Sequence, residues 1–198
     1  MEIYYATTNA AKATSLQRAC DGYGITVKQV PLEIPESRSN DVQIIAGEKV
    51  KWAFEHLHAP VVALDAGFYI HSLNGFPRAF VNFALETIDL DGLLTLVNGK
   101  PRHCEFRECL AYIDESRPEP NYFLSLVPGR LAEQQRGAMQ PHLWSRLGLI
   151  FIPDGSTKTL AEMQPEEYLQ WRTQYREKSS GAKAFARWFA NQNTSKVK

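Results

Sequence analysis

The sequence predicts an α/β fold built around one mixed β-sheet. Two patterns indicate this fold: apolar strand segments alternate with helical segments in the first half of the chain, and two longer β segments follow each other in the middle. The chain has 198 residues, and because domains have about 150 residues, we expect a single domain over residues 1–198. A core of this size needs no disulfide or structural metal.

The first half of the chain supplies the alternating part of this pattern. Apolar runs predict the strands, whereas apolar residues at helical spacing and a capping Asp41 predict the helices. The predicted elements, in order, are a strand at 3–6, a helix at 10–21, a strand at 26–30, a polar loop at 31–40, a helix at 42–58 and strands at 61–64 and 68–71. The run 61–64 is typical of a buried central strand, and we expect it to end at Asp65.

The second half of the chain adds the long β segments and a helical C-terminal region. A cluster of turn-forming residues at 115–120 separates the two β segments. The predicted elements, in order, are a loop at 74–77, a helix at about 89–97, β segments at 103–113 and 121–133, a strand at 149–152 and a helical region from about 165 to 191. We expect the tail from about 192 to 198 to be frayed or disordered.

The charge balance excludes a general nucleic-acid binder. Twenty-two Lys and Arg residues match 22 Asp and Glu residues, so the formal net charge is zero. Bulk affinity for nucleic acid requires an excess of cations over the phosphates. One small phosphate pocket remains compatible with the balance.

The cysteines and the apolar segments predict a soluble protein of the cytoplasm. The cysteines form an odd, sparse set, which favours reduced thiols over a disulfide framework: Cys20, Cys104 and Cys109. The first residues lack the basic and apolar regions of a signal peptide. No apolar stretch approaches the length of about 18 residues that a membrane span needs. His103 and the two later cysteines lack zinc-ligand spacing, so we expect no zinc site there.

The junction between the first strand and the first helix is the first candidate site. Residues 6–12 read ATTNAAK, so small and polar residues end the strand immediately before the helix begins. Backbone N–H groups and the positive end of the helix then meet at one point, which suits an anion. Lys12 could add a point charge for a phosphate. The alternative is an ordinary capped helix, with Thr8 or Asn9 as the cap and Lys12 in solvent.

Asp65 is the second candidate. An acid at the carboxyl end of a buried strand lies where open α/β sheets place their ligands. Asp65 could there position a metal or accept a proton from water. The alternative is a turn aspartate that binds its own backbone, and the spacing alone does not decide between them.

Two further segments carry weaker signals. The segment from Phe151 to Met163 reads FIPDGSTKTLAEM, in which Pro-Asp-Gly alone is an ordinary turn. A basic and aromatic region lies near the C-terminus, where it is either a solvated helix face or a surface for phosphate or a base. Its residues are Arg172, Tyr175, Arg176, Lys178, Lys183, Arg187 and Trp188.

Taken in order, these segments resemble the inosine triphosphate pyrophosphatase family, the Ham1-like enzymes that clear non-standard purine nucleotides. Residues 6–12 resemble its opening A-T-x-N-x-x-K, and residues 62–67 (VALDAG) its central D-D-S-G strand end. Residues 73–77 (LNGFP) are similar to L-G-G-x-P, and Arg136-Gly137 to a later R-G. Residues 151–163 resemble F-x-P-D-G-x-x-K-T-x-A-E-M. Five motifs in one order make the resemblance specific over nearly the whole chain.

The resemblance implies a fold, a reaction and a set of site residues. The fold is an elongated, two-lobed mixed-sheet structure of the Maf/Ham1 type with a central cleft, commonly in a homodimer. The reaction is hydrolysis of a non-standard purine nucleoside triphosphate such as ITP or XTP, with magnesium, to the monophosphate and pyrophosphate. Asp65 would activate water and face the metal, and Lys12 would act on the phosphates. The other implied substrate-binding residues are Thr7, Thr8, Asn9, Phe151, Lys158, Arg176 and Lys183.

The chain also departs from the family pattern. Leu64 replaces the first acid of the paired aspartates, and Ile44 stands near the position of a helix glutamate when Lys49 is aligned with the family lysine. Residues 146–149 (RLGL) replace an aromatic-Asp-Pro segment that recognises the base, and the late S-H-R signature is missing from 175–183. These departures keep two alternatives open: a nucleotide-binding protein without catalysis, and a related hydrolase of another phosphorylated substrate.

Overall fold

In the computed structural model of the protein, residues 1–35 and 37–194 are described, except for the side chains of 176–178 and 193–194. Seven strands in this part of the chain form one mixed sheet. They are β1 (Glu2–Ala6), β2 (Thr26–Val30), β3 (Val61–Ile70), β4 (Pro77–Arg78), β5 (His103–Asp114), β6 (Arg117–Leu131) and β7 (Phe151–Pro153). The strand order is β2-β1-β3-β5-β6-β7, and β4 pairs with β3 outside this order.

The pairing makes the sheet mixed. β1 is parallel to both β2 and β3, with Tyr4 opposite Val61 in the second pair. β4 is antiparallel to β3, and β7 is antiparallel to β6. The predicted α/β fold with a mixed sheet is confirmed.

Six α-helices and three short 3-10 turns complete the described part of the chain. The helices are α1 (Ala10–Cys20), α2 (Val42–Leu57), α3 (Val81–Thr87), α4 (Asp89–Leu96), α5 (Pro165–Ser179) and α6 (Gly181–Thr194). The 3-10 turns are His71–Leu73, Arg146–Leu149 and Leu160–Glu162. None of the helices, as far as the residues are described, is long and apolar enough to cross a membrane. Of the tail predicted to fray, 192–194 form the end of α6, and 195–198 lie outside the described residues.

β3 is longer than the sequence predicts. The chain continues as one strand from Val61 to Ile70, whereas the sequence predicts a break between Asp65 and Gly67. The later part of the strand has its own partner, because Phe68 and Tyr69 pair with β4. Asp65 therefore lies inside a strand and not at its end.

The chain divides into two compact units, each with its own core. The first unit comprises 1–66, 108–125 and the chain from 180 onward, and the second comprises 67–107 and 126–179. In the first unit, β1, α1 and α6 surround fully buried side chains such as Ile3, Tyr112 and Phe185. In the second unit, α4 and β7 contribute to a separate core around Leu93 and Phe151.

The three cysteines are buried in these cores and are free thiols. Burial is the first cause that raises the pKa of each thiol, to about 12 for Cys20 and for Cys109. The pKa of Cys104 is raised in the same way. Since the thiolate is the reactive form, these side chains act as small apolar groups that fill the core.

Gly181 fixes the start of α6 against β6. Its N–H donates to the buried Ser125 Oγ at 2.8 Å, and a Cβ atom there would lie 2.5 Å from the carbonyl oxygen of Phe123. Replacing Gly181 by Ala should therefore lower the free energy of unfolding by about 1–3 kcal/mol, the usual effect of overpacking. Urea unfolding measures this, with the exposed Ala184→Ser as control. A midpoint equal to that of the unmodified protein would show that the contact is loose.

Candidate functional site

The loop between β1 and α1 is held by its own side chains. The Thr7 N–H donates to the Val30 carbonyl at 3.0 Å, and Thr7 Oγ1 accepts from the Asn9 N–H at 3.1 Å. Asn9 caps α1, since its Oδ1 accepts from the Lys12 N–H at 3.2 Å. The interpretation of residues 8–12 as a capped helix start is confirmed, with Asn9 as the cap, while Thr8 and the Lys12 side chain remain exposed.

The start of α1 is suited to an anion. As described, the first turn of α1 holds no acidic residue, so the positive end of the helix dipole is not offset within the helix. Lys12 stands on the first turn and has no ion-pair partner among the side chains that the structure describes. This end of the helix therefore presents backbone donors and a nearby ammonium.

Asp65 and Lys49 form a half-buried ion pair beside it. Lys49 Nζ lies 2.5 Å from Asp65 Oδ1, and the side chains are 27% and 14% exposed. α2 carries Lys49, and Asp41 starts that helix as predicted, because its Oδ1 accepts from the Gln43 N–H at 2.8 Å. Partial removal from water strengthens the attraction between the two charges. The pair thus fixes the orientation of the Asp65 carboxylate.

The sheet register explains why Asp65 is near α1 although it lies inside β3. The last pair between β1 and β3 joins Tyr5 to Val62. Asp65 is three residues beyond that pair, and Thr8 is three residues beyond it on the other strand. The prediction that Asp65 ends its strand is wrong. It stands instead where the neighbouring strand β1 has ended, which is the edge that parallel strands offer to ligands.

Three charged side chains of the first unit act on the Lys12 ammonium. The pKa of Lys12 is lowered, first because neighbouring protein atoms displace water from around its ammonium and then by the Lys49 charge, while Asp65 and Glu108 oppose this. The sequence predictions included Lys12 and Asp65, but used Lys49 only to align α2 and did not include Glu108. The one signal for Glu108 was a run of charged residues within the mostly apolar β5, namely Glu105, Arg107 and Glu108.

A second polar network lies in the second unit, around the predicted 151–163 motif. Arg136 Nε donates to Glu162 Oε1 at 3.1 Å, and the ion pair places Arg136 Nη2 2.9 Å from Glu162 Oε2. The fully buried Thr159 joins both, because its N–H donates to Glu162 Oε2 at 2.8 Å and its hydroxyl to the Arg136 carbonyl at 3.1 Å. Lys158 is exposed, and its Nζ contacts both carboxylate oxygens of Glu167 at 3.0 and 2.8 Å. These contacts stabilise the loop that the motif forms, and the Lys158 side chain lies at its surface.

Three further predicted site residues have different positions. Phe151 is fully buried in the core of the second unit, with its ring against Phe68 and Phe106, so it offers no surface to a ligand. Lys183 lies half-buried in the first turn of α6, in the first unit. The side chain of Arg176 lies outside the described residues.

Residues 146–149, which depart from the family pattern, form a 3-10 turn that packs into the core. Leu147 is fully buried, and the Arg146 Nη2 atom lies 2.6 Å from Asp89 Oδ1. The family resemblance implies that this segment recognises the base. In this chain, however, its residue Leu147 is apolar and buried.

The site fits Mg²⁺ only if the cation is bound together with a phosphorylated ligand. Among the described residues, no group of three or more His, Cys, Asp or Glu side chains could hold a metal ion. Mg²⁺, however, is usually held by one or two carboxylates together with substrate phosphates. The Asp65 carboxylate is a donor of that type, so the site fits a cation that arrives with a phosphorylated ligand.

The Arg136–Glu162 network makes the stability of the protein depend on pH. Burial alone would raise the pKa of Glu162, but hydrogen bonds from Thr159 and the Arg136 charge hold that pKa below its ordinary value. A depressed acid stabilises the fold above its unfolded-state pKa, about 4.3 for Glu. That contribution is lost as the pH falls through the folded-state pKa.

Replacing Glu162 by Gln should therefore lower the free energy of unfolding at pH 7 and lower it much less at pH 3. Urea unfolding at both pH values measures this, with the exposed Glu133→Gln as control. A destabilisation that is the same at both pH values would show that Glu162 acts through packing and not through its charge.

A family model and two similar proteins match nearly the whole of this chain. A model of the Ham1 family matches residues 3–179 of this chain. A dITP/XTP pyrophosphatase of Methanopyrus kandleri is 32% identical over 196 residues, which cover 96% of this chain and 97% of that protein. A dITP/XTP pyrophosphatase of Thermococcus kodakarensis is 28% identical over 191 residues, which cover 95% and 97%.

Solved structures share the fold. A nucleoside-triphosphatase/dITP/XTP pyrophosphatase of Mycobacterium abscessus has a TM-score of 0.72 at 24% identity, covering 89% of this chain and 96% of that one. A HAM1 protein of Coxiella burnetii has a TM-score of 0.75 at 19% identity, covering 98% and 99%.

Proposed function

Because this chain belongs to the Ham1 family, we propose that it is a nucleoside triphosphate pyrophosphohydrolase. One water molecule adds across the bond between the α- and β-phosphates and leaves a nucleoside monophosphate and pyrophosphate. The names of the relatives support non-standard purine nucleotides, such as dITP and XTP, as substrates. The observation that carries the proposal is the Lys12 ammonium at the start of α1, beside the Asp65–Lys49 pair.

The phosphates would bind at the start of α1. Backbone N–H groups at a helix N-terminus and the helix dipole favour an anion. Lys12 adds a charge that can follow the phosphate oxygens, and the exposed Thr8 hydroxyl adds a donor. Thr7 and Asn9 act differently from Thr8, since their side chains are used to hold the loop and cap the helix.

Asp65 is the proposed general base for the attacking water. A carboxylate that takes a proton from water must be ionised and oriented, and the ion pair with Lys49 supports both. Lys49 is therefore a positioning residue for Asp65. Lys158 and Lys183 remain candidates for further contacts with the substrate, and so does Arg176.

Magnesium is proposed to arrive with the triphosphate and to face Asp65. When bound, the cation would neutralise charge that develops on the phosphate oxygens. We further propose a cytoplasmic homodimer, in line with the family resemblance. Exposed apolar side chains in the second unit support an interface: Phe80 is 43% and Phe83 is 66% exposed. Light scattering of the purified protein tests the dimer.

Product analysis tests the reaction itself. Phosphorus NMR of a reaction with dITP and Mg²⁺ should show deoxyinosine monophosphate and pyrophosphate in equal amounts. Orthophosphate and the diphosphate as first products would contradict the proposal.

A second candidate function is nucleotide binding without turnover. It is favoured by the ion pair, in which Lys49 occupies one oxygen of the only site acid among the predicted residues, and by the apolar Leu64 next to Asp65. It predicts that dITP binds with Mg²⁺ and is recovered intact after incubation with the protein in stoichiometric amount. Product formation under that condition rejects it.

A further inference from the structure

α2 contacts two strands of the first unit that are not neighbours, because β5 stands between β3 and β6 in the sheet. On one side, Lys49 Nζ of α2 lies 2.5 Å from Asp65 Oδ1 of β3. On the other side, Lys51 Nζ lies 2.9 Å from Glu119 Oε2 of β6. Two strand spacings are about 10 Å, which is also about the width of a helix with its side chains. One helix over β5 can therefore contact both strands.

Gly47 and Tyr122 form a second contact between α2 and β6. Gly47 is buried in α2, and a Cβ atom there would overlap the Tyr122 hydroxyl oxygen and lie 3.3 Å from Cε1 and from Cζ of the ring. Glycine weakens a helix interior relative to alanine, and at this position it permits the close approach of the ring. Although Tyr122 is 39% exposed, protein atoms displace water around its hydroxyl, which raises the pKa of Tyr122. The hydroxyl end of the side chain therefore lies against α2.

The faces of the sheet agree with this arrangement. Leu64 and Phe123 pack against the core to which α1 and α6 contribute. Because side chains alternate along a strand, their neighbours Asp65 and Tyr122 point to the opposite face. α2 packs on that face, since its Lys49 pairs with Asp65.

Gly47 and Lys51 lie on one side of α2, and Lys49 lies on the other. Residues four apart share a side of a helix, whereas residues two apart are nearly opposite because one turn has 3.6 residues. The contacts with β6 and the contact with Asp65 are thus made by opposite sides of one rigid element. A change in the height of α2 above β6 therefore moves Lys49 relative to Asp65.

We propose that the Tyr122 hydroxyl sets the height of α2 above the sheet and, through its contact with Gly47, positions Lys49 against Asp65. This inference rests on the proposed function, in which Asp65 is the general base. Tyr122 is then a positioning residue that acts from β6, the second strand along the sheet from β3. Its effect reaches the Asp65 carboxylate only through Lys49.

Gly47→Ala tests the contact by enlarging it. The added methyl group overlaps the Tyr122 hydroxyl, so α2 has to move away from β6, and Lys49 moves with it. The kcat for pyrophosphate release from dITP should fall by about 10–100-fold, the effect of a misplacement of about 1 Å. KM should change less, because the displaced group acts on the general base. Steady-state assays measure both constants, and circular dichroism checks that the variant is folded.

Two double variants show how the effect is transmitted. Adding Tyr122→Phe to Gly47→Ala removes the overlapping oxygen and should return kcat to within about threefold of that of the unmodified protein. In a Lys49→Met background, where the ion pair is absent, Gly47→Ala should lower kcat no further. A purely structural role of the contact would lower stability in both backgrounds alike.

Two single variants complete the set. Tyr122→Ala removes the contact without any overlap and should also lower kcat, because α2 then lacks its support at Gly47. Gly92→Ala is the matched control. It makes the same chemical change inside α4 of the second unit, where a Cβ atom would lie 2.6 Å from Ile88 Cβ, and it should leave kcat unchanged.

Any of the following results, obtained while the unmodified protein releases pyrophosphate, overturns the role of Tyr122 and leaves the proposed function standing. One is an unchanged kcat in folded Gly47→Ala or in Tyr122→Ala. Another is no recovery when Tyr122→Phe is added to Gly47→Ala, and a third is an equal further fall in the Lys49→Met background. An unmodified protein that releases no pyrophosphate from dITP overturns the proposed function and this inference together.

Discussion

Replacing Asp65 by Asn should lower kcat for pyrophosphate release by about 10²–10⁴-fold, the usual contribution of a positioned general base. Asn has nearly the same shape and can still accept a hydrogen bond from Lys49 through its carbonyl oxygen. It cannot take a proton from water at neutral pH. The expected loss is therefore in kcat, and steady-state assays of pyrophosphate release measure it.

The matched control is Asp21→Asn, which removes an exposed carboxylate from the other end of α1. It should change kcat by less than about twofold, since exposed charges away from a site have small effects. Full activity of Asp65→Asn, with an unchanged circular dichroism spectrum, would remove Asp65 from the mechanism.

Replacing Lys12 by Ala should lower kcat/KM by about 10–100-fold, because hydrogen bonds to charged groups contribute about 1.5–3 kcal/mol. The effect should appear mainly as a raised KM if Lys12 binds substrate and transition state equally, and as a lowered kcat if it binds the developing charge. Protein atoms near the Lys12 ammonium displace part of its water, which lowers the Lys12 pKa and makes its charge more effective on a bound phosphate.

Lys28→Ala is the control for this change. Lys28 is an exposed lysine of β2 whose Nζ contacts Glu2 Oε2 at 2.7 Å, and its loss should leave kcat/KM unchanged. Equal kinetics of Lys12→Ala and the unmodified protein would show that the start of α1 does not bind phosphate.

The sequence predicted the elements that depend on local signals. β2 and α2 were predicted within one residue of their observed bounds. Asp41 is a local capping residue, and an apolar run between turn residues is a local strand signal. Such signals need no knowledge of distant parts of the chain.

The break predicted in β3 shows where local signals fail. The sequence predicts a break between Asp65 and Gly67, but a Cβ atom at Gly67 would lie 2.6 Å from the Arg78 carbonyl oxygen. The glycine permits the close approach of β4 inside a continuous strand. That requirement arises from pairing across the sheet, which the residues around Gly67 do not reveal.

The start of β6 also depends on pairing across the sheet, which local sequence does not reveal. Pro118 and Pro120 indicate a turn, yet only Glu115 and Ser116 separate the two strands. β7 pairs with β6 only at 129–131. A proline without an N–H group is tolerated where a strand lacks a second partner.

Sequence patterns indicate part of the candidate site but not all of it. Thr8, Asn9, Lys12 and Asp65 follow strand ends or helix starts, which are visible in the sequence. Lys49 reaches the site from the middle of α2, where its Nζ pairs with Asp65 Oδ1. Only the packing of α2 against the sheet brings this side chain to Asp65, so no local pattern indicates it.

Turnover of four nucleotides, measured side by side, decides whether the protein is a pyrophosphohydrolase of non-standard purine nucleotides. Purified protein with Mg²⁺ is incubated separately with dITP, XTP, dATP and dGTP, and pyrophosphate is measured against time and enzyme concentration. Pyrophosphate release should be proportional to enzyme, with kcat/KM for dITP or XTP above that for the standard nucleotides, and about 10²–10⁴-fold slower in Asp65→Asn. Release of no pyrophosphate from any of the four at stoichiometric enzyme would contradict it.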